Sequence, residues 1–292
     1  VLELLKLYNP TLNFQVENLS SLPVLFDEVY RPEVERLVTE NIRLSREDWD
    51  STEESWDFAV HPLVQTGAVL LRDAFRLYRT ACQKRIAAVQ HNEERLNYIF
   101  AEIYGLTEEL DCTPPESTMS VPDDIVMAEQ LVSFAVGCLF GRYSLPGVTP
   151  LAENYLELRK MPLYLTTFLE AVYGREHVKE NVAFLEKALG DTLVHYCMVQ
   201  FYPSHCRQYH KRPLYWLASS GRQHTVYGLC YVHRMGDSPV SALTALTDML
   251  PPSPELTVYQ KRLVALQGVQ LFPDDGIQAN HAVFDTIFAK IR

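Results

Sequence analysis

The chain has 292 residues, a hydrophobic content of 47%, a charged content of 22% and a formal net charge of −11. These values exclude a chain that is disordered over most of its length. The acidic balance also excludes a protein that coats nucleic acid with its whole surface, although it leaves room for a local basic site. Because no run of 18 apolar residues occurs, the sequence predicts no membrane-spanning helix.

The six cysteines are spread through apolar sequence and form no C-x-x-C pair. This pattern favours reduced thiols and a cytoplasmic location over a disulfide framework. Residues 1–14 lack the basic start and apolar stretch of a signal peptide. Since the chain begins with Val1 and not with methionine, we expect it to be a piece of a longer protein.

The first part of the chain is predicted to change from an irregular segment to helices. Residues 1–24 contain an Asn-Pro turn and are compatible with a short strand at Asn13 to Val16. Helical spacing of apolar residues begins at Val24. A long amphipathic helix is predicted from Pro62 to about His91, followed by a second helix that Asn92 caps.

Further helices are predicted by apolar residues at helical spacing and by acidic or proline residues at helix starts. They cover Asp123–Leu139, Pro162–Tyr173, Glu176–Leu189, Asp191–Phe201, Ser241–Met249, Pro254–Gln267 and Ile277–Ile291. Two segments rich in β-branched and aromatic residues, Leu214–Ala218 and Thr225–His233, flank a Ser-Ser-Gly turn. The predicted fold class is therefore mainly α, a multi-helix domain with a small β-hairpin near residues 213–234.

One segment, Thr192 to Gly236, contains no aspartate or glutamate, although the whole chain carries 37. This acid-free segment holds five lysines and arginines and five of the nine histidines, with eight aromatic residues between them. Its five positive charges, set against −11 for the whole chain, leave −16 on the remainder. A positive surface on an acidic body fits a phosphate backbone, an acidic partner protein or an acidic face of the same chain.

No catalytic or metal-binding motif is apparent in the sequence. No two glycines are spaced as G-x-G, and no G-x-S-x-G elbow occurs. Neither Pro-Pro pair lies in the Asn/Asp-Pro-Pro-aromatic loop of aminomethyltransferases. The spacing of His205, Cys206 and His210 matches no common zinc site, and the Pro-Asp-Asp sequences at 122–124 and 273–275 lack a Glu-x-Lys partner of the kind that nucleases use. We therefore predict no catalytic residue and no metal ligand in this chain.

Five blocks of sequence carry a resemblance to a known family. The most specific block lies in the acid-free segment and comprises Tyr209–Leu217 and Leu229–Arg234. The other four, in chain order, are Ser55–Leu63, Asn92–Leu106, Phe134–Leu145 and Asp274–Ile291. Together they resemble the adenine-specific DNA methyltransferases of BREX phage-defence systems, the PglX family. Family members often carry longer segments than this chain after the Phe134–Leu145 block and before the Asp274–Ile291 block.

The resemblance also implies a division of the chain. Residues 9–24 are similar to the end of the target-recognition region of such enzymes, so residues 1–24 would be the tail of that region or a linker. Residues 25–292 would form the helical C-terminal domain. Similar C-terminal domains occur in single-chain type II restriction-modification enzymes, so this second context stays open.

The resemblance further implies transfer of a methyl group from S-adenosylmethionine to the adenine amine by the full-length protein, a reaction that takes the base out of its stack. It implies no catalytic residue and no cofactor site in this chain. The implied partner is double-stranded DNA, through the full-length enzyme. Other BREX proteins, or an acidic inhibitor that mimics DNA, are further partners for the same surface, and the implied location is the bacterial cytoplasm.

The chain itself is then expected to hold DNA or to dock a partner. The cations proposed to contact phosphates without reading sequence are Arg142, Arg207, Lys211, Arg212, Arg222 and Arg234. Two alternatives remain at this level. The segment is either a protein-docking surface without DNA contact, or it is structural, with its cations paired to internal acids and its tyrosines and Trp216 packed in the core.

Overall fold

A computed structural model describes residues 16–20, 25, 27–117, 119–152, 154–220, 224–231, 234, 239–248 and 250–266. These residues form a mainly helical fold with one small antiparallel sheet, as the sequence predicts. The chain groups into two compact units. Unit 1 comprises Val1–Asp48 and Cys82–Ser120, and unit 2 comprises Trp49–Ala81 and Val121–Arg292.

The elements follow one another as helices first, then strands and helices mixed. The helices before the first strand are α1 (Val16–Ser20), α2 (Arg31–Trp49), α3 (Pro62–Gln65), α4 (Leu71–Ile103) and α5 (Asp124–Leu139). Next come β1 (Tyr155–Glu157), α6 (Met161–Tyr173), a 3₁₀ turn (Arg175–His177), α7 (Val178–Leu189), α8 (Leu193–His195), a π-helical turn (Tyr196–Gln200) and α9 (Phe201–Gln208). The last described elements are β2 (Trp216–Ser219), β3 (Tyr227–Cys230), α10 (Pro239–Asp248) and α11 (Pro254–Ala265).

The predicted helix break at Asn92 is wrong, because α4 runs unbroken for 33 residues. Asn92 is buried within the helix, and its Nδ2 donates to Asn41 Oδ1 of α2 at 2.9 Å. One turn further on, Arg95 donates to both carboxylate oxygens of Glu33 at 2.8 and 2.9 Å. The asparagine amide is satisfied by the neighbouring helix, so it does not compete with the backbone of its own helix.

The predicted helix start at Pro62 is also corrected. Pro62 opens only α3, a four-residue helix that the His61 imidazole caps by accepting the Leu63 N–H at 3.3 Å. Gly67, at φ +69°, then turns the chain through the left-handed region. The long helix begins at Leu71, whose N–H donates to the buried Asn181 side chain of α7 at 2.7 Å.

Helix α5 is the central element of unit 2. Eleven of its sixteen residues are buried, which fits a helix that is apolar on all sides. It packs against α6, α7 and α9. Its position brings the loop that follows it, at Arg142 and Tyr143, next to the acid-free segment.

The sheet has the strand order β1-β3-β2, with both pairs antiparallel. The predicted hairpin is confirmed as β2 and β3, whereas the three-residue strand β1 was not predicted. Gly228 is required where β1 meets β3, because a Cβ there would lie 2.5 Å from the Leu156 carbonyl oxygen. Trp216 and Cys230 belong to the hydrophobic cluster that covers the sheet with apolar residues of α10 and α11.

The helix predicted from Val24 begins only at Arg31, and the other predicted helices agree with the structure to within a few residues where they are described. The one that departs most is Asp191–Phe201, since α8, the π turn and α9 continue the helical backbone to Gln208. The helix predicted at 277–291 lies outside the described residues, as does most of the strand predicted at 13–16, and the boundary at residue 24 stays a prediction. No helix in the described ranges is long and apolar enough to cross a membrane.

Candidate functional site

The acid-free segment lies in unit 2 and forms α8, the π turn, α9 and the hairpin of β2 and β3. Half of its aromatic residues are buried in the core. These are Tyr196, Phe201, Tyr215 and Trp216. They cannot serve as exposed platforms for bases, so the structural interpretation holds for this part of the segment.

His205 of α9 has a structural role within the aromatic layer. Its ring stacks on Tyr215 and Phe201, with centroids 4.8 and 5.8 Å apart. Its Nε2 accepts the backbone N–H groups of Leu214 and Tyr215 at 3.0 and 3.3 Å. Burial, and then the nearby charge of Arg142, lower the pKa of His205 to about 3. The ring is therefore neutral, carries its proton on Nδ1 and fixes the turn that enters β2.

No three His, Cys, Asp or Glu side chains converge on a metal position within the described ranges. None of the six cysteines, all of which lie in the described ranges, forms a disulfide, and four of them are buried: Cys82, Cys138, Cys197 and Cys230. Burial raises the pKa of the Cys197 and Cys230 thiols to about 12. These thiols are packing groups and not nucleophiles.

Arg142, one of the predicted phosphate contacts, is engaged inside unit 2. Its Nη1 donates to the Tyr209 hydroxyl at 2.7 Å and lies 3.6 Å from Glu53 Oε1. Its guanidinium also lies over the Tyr143 ring, 4.8 Å from the centroid. Only 24% of the side chain is exposed. The main role of Arg142 is therefore to neutralise a buried carboxylate.

Arg234 and Arg207 are partly engaged with α5. Arg234 Nη1 donates to the Phe140 carbonyl oxygen at 2.9 Å, which satisfies a backbone acceptor at the end of the helix. Arg207 Nη2 lies 3.3 Å from Glu129 Oε1, but 69% of its side chain is exposed. Such a surface ion pair contributes about 0–1 kcal/mol, so Arg207 can exchange it for another anion.

The remaining described cations form a basic turn, His210, Lys211 and Arg212, directly after α9. His210 and Lys211 have φ values of 49° and 65°, the left-handed region that costs a non-glycine residue roughly 1–2 kcal/mol. All three side chains are exposed. Within the described part of the chain, neither Lys211 nor Arg212 forms an ion pair. Arg222 lies outside the described residues.

An open cleft of about 890 Å³ adjoins the basic turn. One wall comes from the segment between α2 and α3, and the other from the loop after α5 and the end of α9. The lining residues are Trp49, Glu53–Trp56, Phe58–Val60, Arg142–Ser144, Gln208–His210 and Arg212. Sequence reasoning missed Trp56, although a tryptophan within the polar run Asp-Ser-Thr-Glu-Glu-Ser-Trp-Asp was a usable signal. Its side chain is fully exposed, at 102%.

The two walls of the cleft differ in charge. Glu53 is buried; its Oε2 accepts from Gln208 Nε2 at 3.0 Å, and its Oε1 faces Arg142. Burial, and then the Glu53 charge, raise the pKa of the Tyr143 phenol far above its ordinary value, so the phenol stays neutral. Glu54 is exposed at the rim, 3.7 Å from His210 Nε2. The cleft thus has an acidic side with an exposed indole and a basic side.

Comparison with known proteins finds two related methyltransferases. No family model matches the chain. In an alignment of 307 positions, gaps included, that covers 90% of the chain, it is 30% identical to "Adenine-specific methyltransferase PglX" of Lacticaseibacillus casei (strain Zhang). In an alignment of 382 positions, gaps included, that covers 97% of the chain, it is 26% identical to "Adenine-specific methyltransferase BrxX" of Escherichia coli O9:H4 (strain HS). The matches cover 25% and 31% of these relatives, so the chain spans about a quarter to a third of their length.

Proposed function

Since this chain is related to the PglX-like adenine-specific methyltransferases of BREX systems, we propose that it is a portion of a DNA methyltransferase of this kind and helps to hold DNA. The relation to two adenine-specific methyltransferases carries this proposal. The methyl transfer itself, from S-adenosylmethionine to an adenine amine, is proposed for the full-length protein. No residue of this chain is assigned to that chemistry.

The basic turn is the proposed phosphate contact. Lys211 and Arg212 are exposed and not ion-paired within the described residues, so they give up no partner when a phosphate approaches. Arg207 gives up only a weak surface pair. Such contacts set the position of a duplex without reading its sequence. Arg142 is better explained as structural, because it is largely buried and donates to Tyr209 beside Glu53. Arg234 uses one N–H on the Phe140 carbonyl oxygen but is exposed, and Arg222 stays a candidate from sequence alone.

The charge distribution of the chain also favours DNA binding at the acid-free segment. The acid-free segment carries five lysines and arginines, whereas the rest of the chain carries a net −16. An acidic body repels a polyanion, so DNA would approach where acids are missing. Docking of an acidic partner, such as another defence protein or a DNA-mimicking inhibitor, would use the same surface.

The proposal predicts a specific change in the salt dependence of DNA binding. Replacing Lys211 and Arg212 together with alanine should weaken binding to a duplex of any sequence. It should also make the slope of log K against log salt shallower by about two, because two counterion-releasing contacts are lost. Fluorescence anisotropy of a labelled duplex at several salt concentrations measures both quantities.

Lys84→Ala with Lys179→Ala is the matched control. Both lysines are exposed on helices and form no ion pair within the described residues, so this variant loses the same charge elsewhere. It should retain the original slope. Equal slopes for the two double variants would contradict the assignment of the basic turn. A wild-type chain that does not bind duplex at low salt would contradict DNA holding by this chain.

A further inference from the structure

We infer that the cleft beside the basic turn binds one unstacked nucleotide, with its base against Trp56 and its phosphate at the basic turn. This inference rests on the proposed DNA-holding function and makes it more specific. In addition to the phosphate contacts already described, it assigns a site to a base that has left the DNA double helix.

Trp56 provides the surface for the base. Phe58, which also lines the cleft, is buried in the core, whereas the Trp56 indole is fully exposed. The backbone on either side of Trp56 is held by a local turn, in which Ser55 Oγ donates to Asp50 Oδ1 at 2.6 Å and accepts the Asp57 N–H at 3.1 Å. Trp49, also more than half exposed, lines the same cleft. An exposed indole is a stacking platform for which every base has a matching face.

The acidic side of the cleft orients the base. The Glu54 carboxylate at the rim accepts hydrogen bonds and donates none, so it favours a group with N–H donors and repels a phosphate. The exocyclic amines of adenine, cytosine and guanine each offer two N–H donors, whereas thymine has no amine and offers only its ring N3–H. The phosphate is then directed past Glu54 to the basic turn, where Arg212 lines the cleft and Lys211 is its neighbour. Glu54 Oε1 lies 3.7 Å from His210 Nε2, so the two positions are adjacent.

The combination of walls distinguishes a nucleotide from a peptide. A cationic peptide would meet Arg212, and an acidic peptide would meet Glu54. Glu53 is buried and paired with Arg142, so these two side chains present no free charge to either. A nucleotide has a neutral ring with amine donors and, separately, an anionic phosphate, and therefore complements both sides. The cleft volume of about 890 Å³ is within the range of roughly 300–1,000 Å³ of small-ligand sites. A paired duplex cannot use the site, since its bases are stacked on one another.

The test compares single strands that differ only in their bases. Short strands of deoxyadenosine, of thymidine and of abasic sugar-phosphate, equal in length, are titrated into the chain while tryptophan fluorescence is followed. The deoxyadenosine strand should quench the fluorescence and bind most tightly. Trp56→Ala should weaken its binding roughly 5- to 150-fold, the effect of losing one base–aromatic stack. The control Tyr98→Ala, which removes a half-exposed ring in unit 1, should bind like wild type.

The contribution of Glu54 is measured with Glu54→Gln, which keeps the size of the side chain and removes its charge. Thymidine should bind wild type roughly two- to tenfold more weakly than deoxyadenosine, the effect of one hydrogen bond. In the variant, the ratio of the thymidine dissociation constant to the deoxyadenosine dissociation constant should be smaller than in wild type. An unchanged ratio would overturn the assigned orientation of the base.

Other outcomes separate this inference from the proposed function. If the abasic strand binds as tightly as deoxyadenosine, or if Trp56→Ala has no effect, the nucleotide site is wrong while duplex holding by the basic turn still stands. If neither single strands nor duplex bind, both proposals fail. If an oligoarginine or oligoglutamate peptide quenches Trp56 and no oligonucleotide does, the cleft is a protein-docking site and the inference is overturned.

Discussion

The side chain of His205 shows how a single residue takes its chemistry from its surroundings. It lies in a segment with five histidines, yet it is buried and accepts two backbone N–H groups through Nε2. A charged imidazole could accept neither of these hydrogen bonds. Burial and the neighbouring Arg142 charge therefore keep the ring neutral and lower its pKa to about 3.

This lowered pKa predicts acid sensitivity. The unfolded chain takes up the His205 proton near pH 6.5, whereas the folded chain takes it up only near pH 3, so acid favours the unfolded state between these values. For each unit by which the pH falls in this window, His205 should lower the unfolding free energy of the wild type by about 1.4 kcal/mol. Urea unfolding between about pH 6.5 and 4 measures this dependence.

His205→Gln is the comparison for this measurement. Glutamine keeps an oxygen acceptor for the Leu214 and Tyr215 N–H groups but does not titrate. The buried His61, whose pKa is also lowered to about 3, is present in both proteins and cancels in the difference. Parallel pH profiles for the two proteins would show that His205 does not cause the effect.

At the scale of the element, helix α5 depends on a close approach at Gly137. A Cβ at this position would lie 2.6 Å from Cδ2 and Cε2 of the Tyr143 ring, which is closer than such atoms approach. The ring is also held by stacking on Phe134, with centroids 5.2 Å apart, and by edge contact with Phe58. Glycine thus allows the loop after α5 to fold back onto its own helix and to place Arg142 beside Glu53.

Gly137→Ala should therefore destabilise the chain, although alanine favours the helix by about 1 kcal/mol relative to glycine. Overpacking of this kind costs roughly 1–3 kcal/mol, measured by urea unfolding. The same change made in a Tyr143→Ala background should be neutral or stabilising, because the ring that it meets is gone. Equal effects in the two backgrounds would show that the ring contact is not the cause.

The bounds of the helices and strands show how much of the fold could be predicted from local sequence. Helix α5 was predicted to within a residue, because Asp123 precedes an apolar run that is helical in any context. The break at Asn92 and the missed strand β1 have the opposite origin. Asn92 is satisfied by Asn41, which is 51 residues away, and β1 is a strand only because β3 lies beside it. Neither partner can be found from local spacing.

At the scale of the whole molecule, the effect of the basic turn has to be considered in the full-length protein. The chain spans only about a quarter to a third of its relatives, and its net charge outside the acid-free segment is −16. A phosphate contact here would increase the affinity of a methyltransferase for DNA without taking part in methyl transfer. Its loss should then act on binding and not on the chemical step.

In cells, the full-length protein with Lys211→Ala and Arg212→Ala should methylate fewer genomic adenines, by several-fold at limiting expression. Overexpression should restore methylation, since a binding defect is offset by concentration. Detection of N6-methyladenine in genomic DNA gives the measurement, and the Lys84→Ala, Lys179→Ala protein is the control. A loss that overexpression does not restore would point to a defect in folding or chemistry. Full methylation by the variant at limiting expression would show that the basic turn does not contribute to DNA holding.

The sequence by itself determined the mainly helical class, the hairpin, the position of the acid-free segment and the relation to adenine-specific methyltransferases. These features are carried by residue order, local periodicity and composition, which require no knowledge of distant contacts. The candidate cations were also found from sequence, but only as a set without order of importance.

Only the tertiary structure decided which of these cations are available and what lies next to them. Arg142 is largely buried beside Glu53, and Arg234 donates to the Phe140 carbonyl oxygen, whereas Lys211 and Arg212 are exposed and form no ion pair within the described residues. Packing also brought Trp56 to that turn across about 155 residues of sequence, the separation of the neighbouring Glu53–Gln208 hydrogen bond. The pairing of a basic turn with an exposed indole arises from long-range packing around α5, because local spacing carries no information about distant partners.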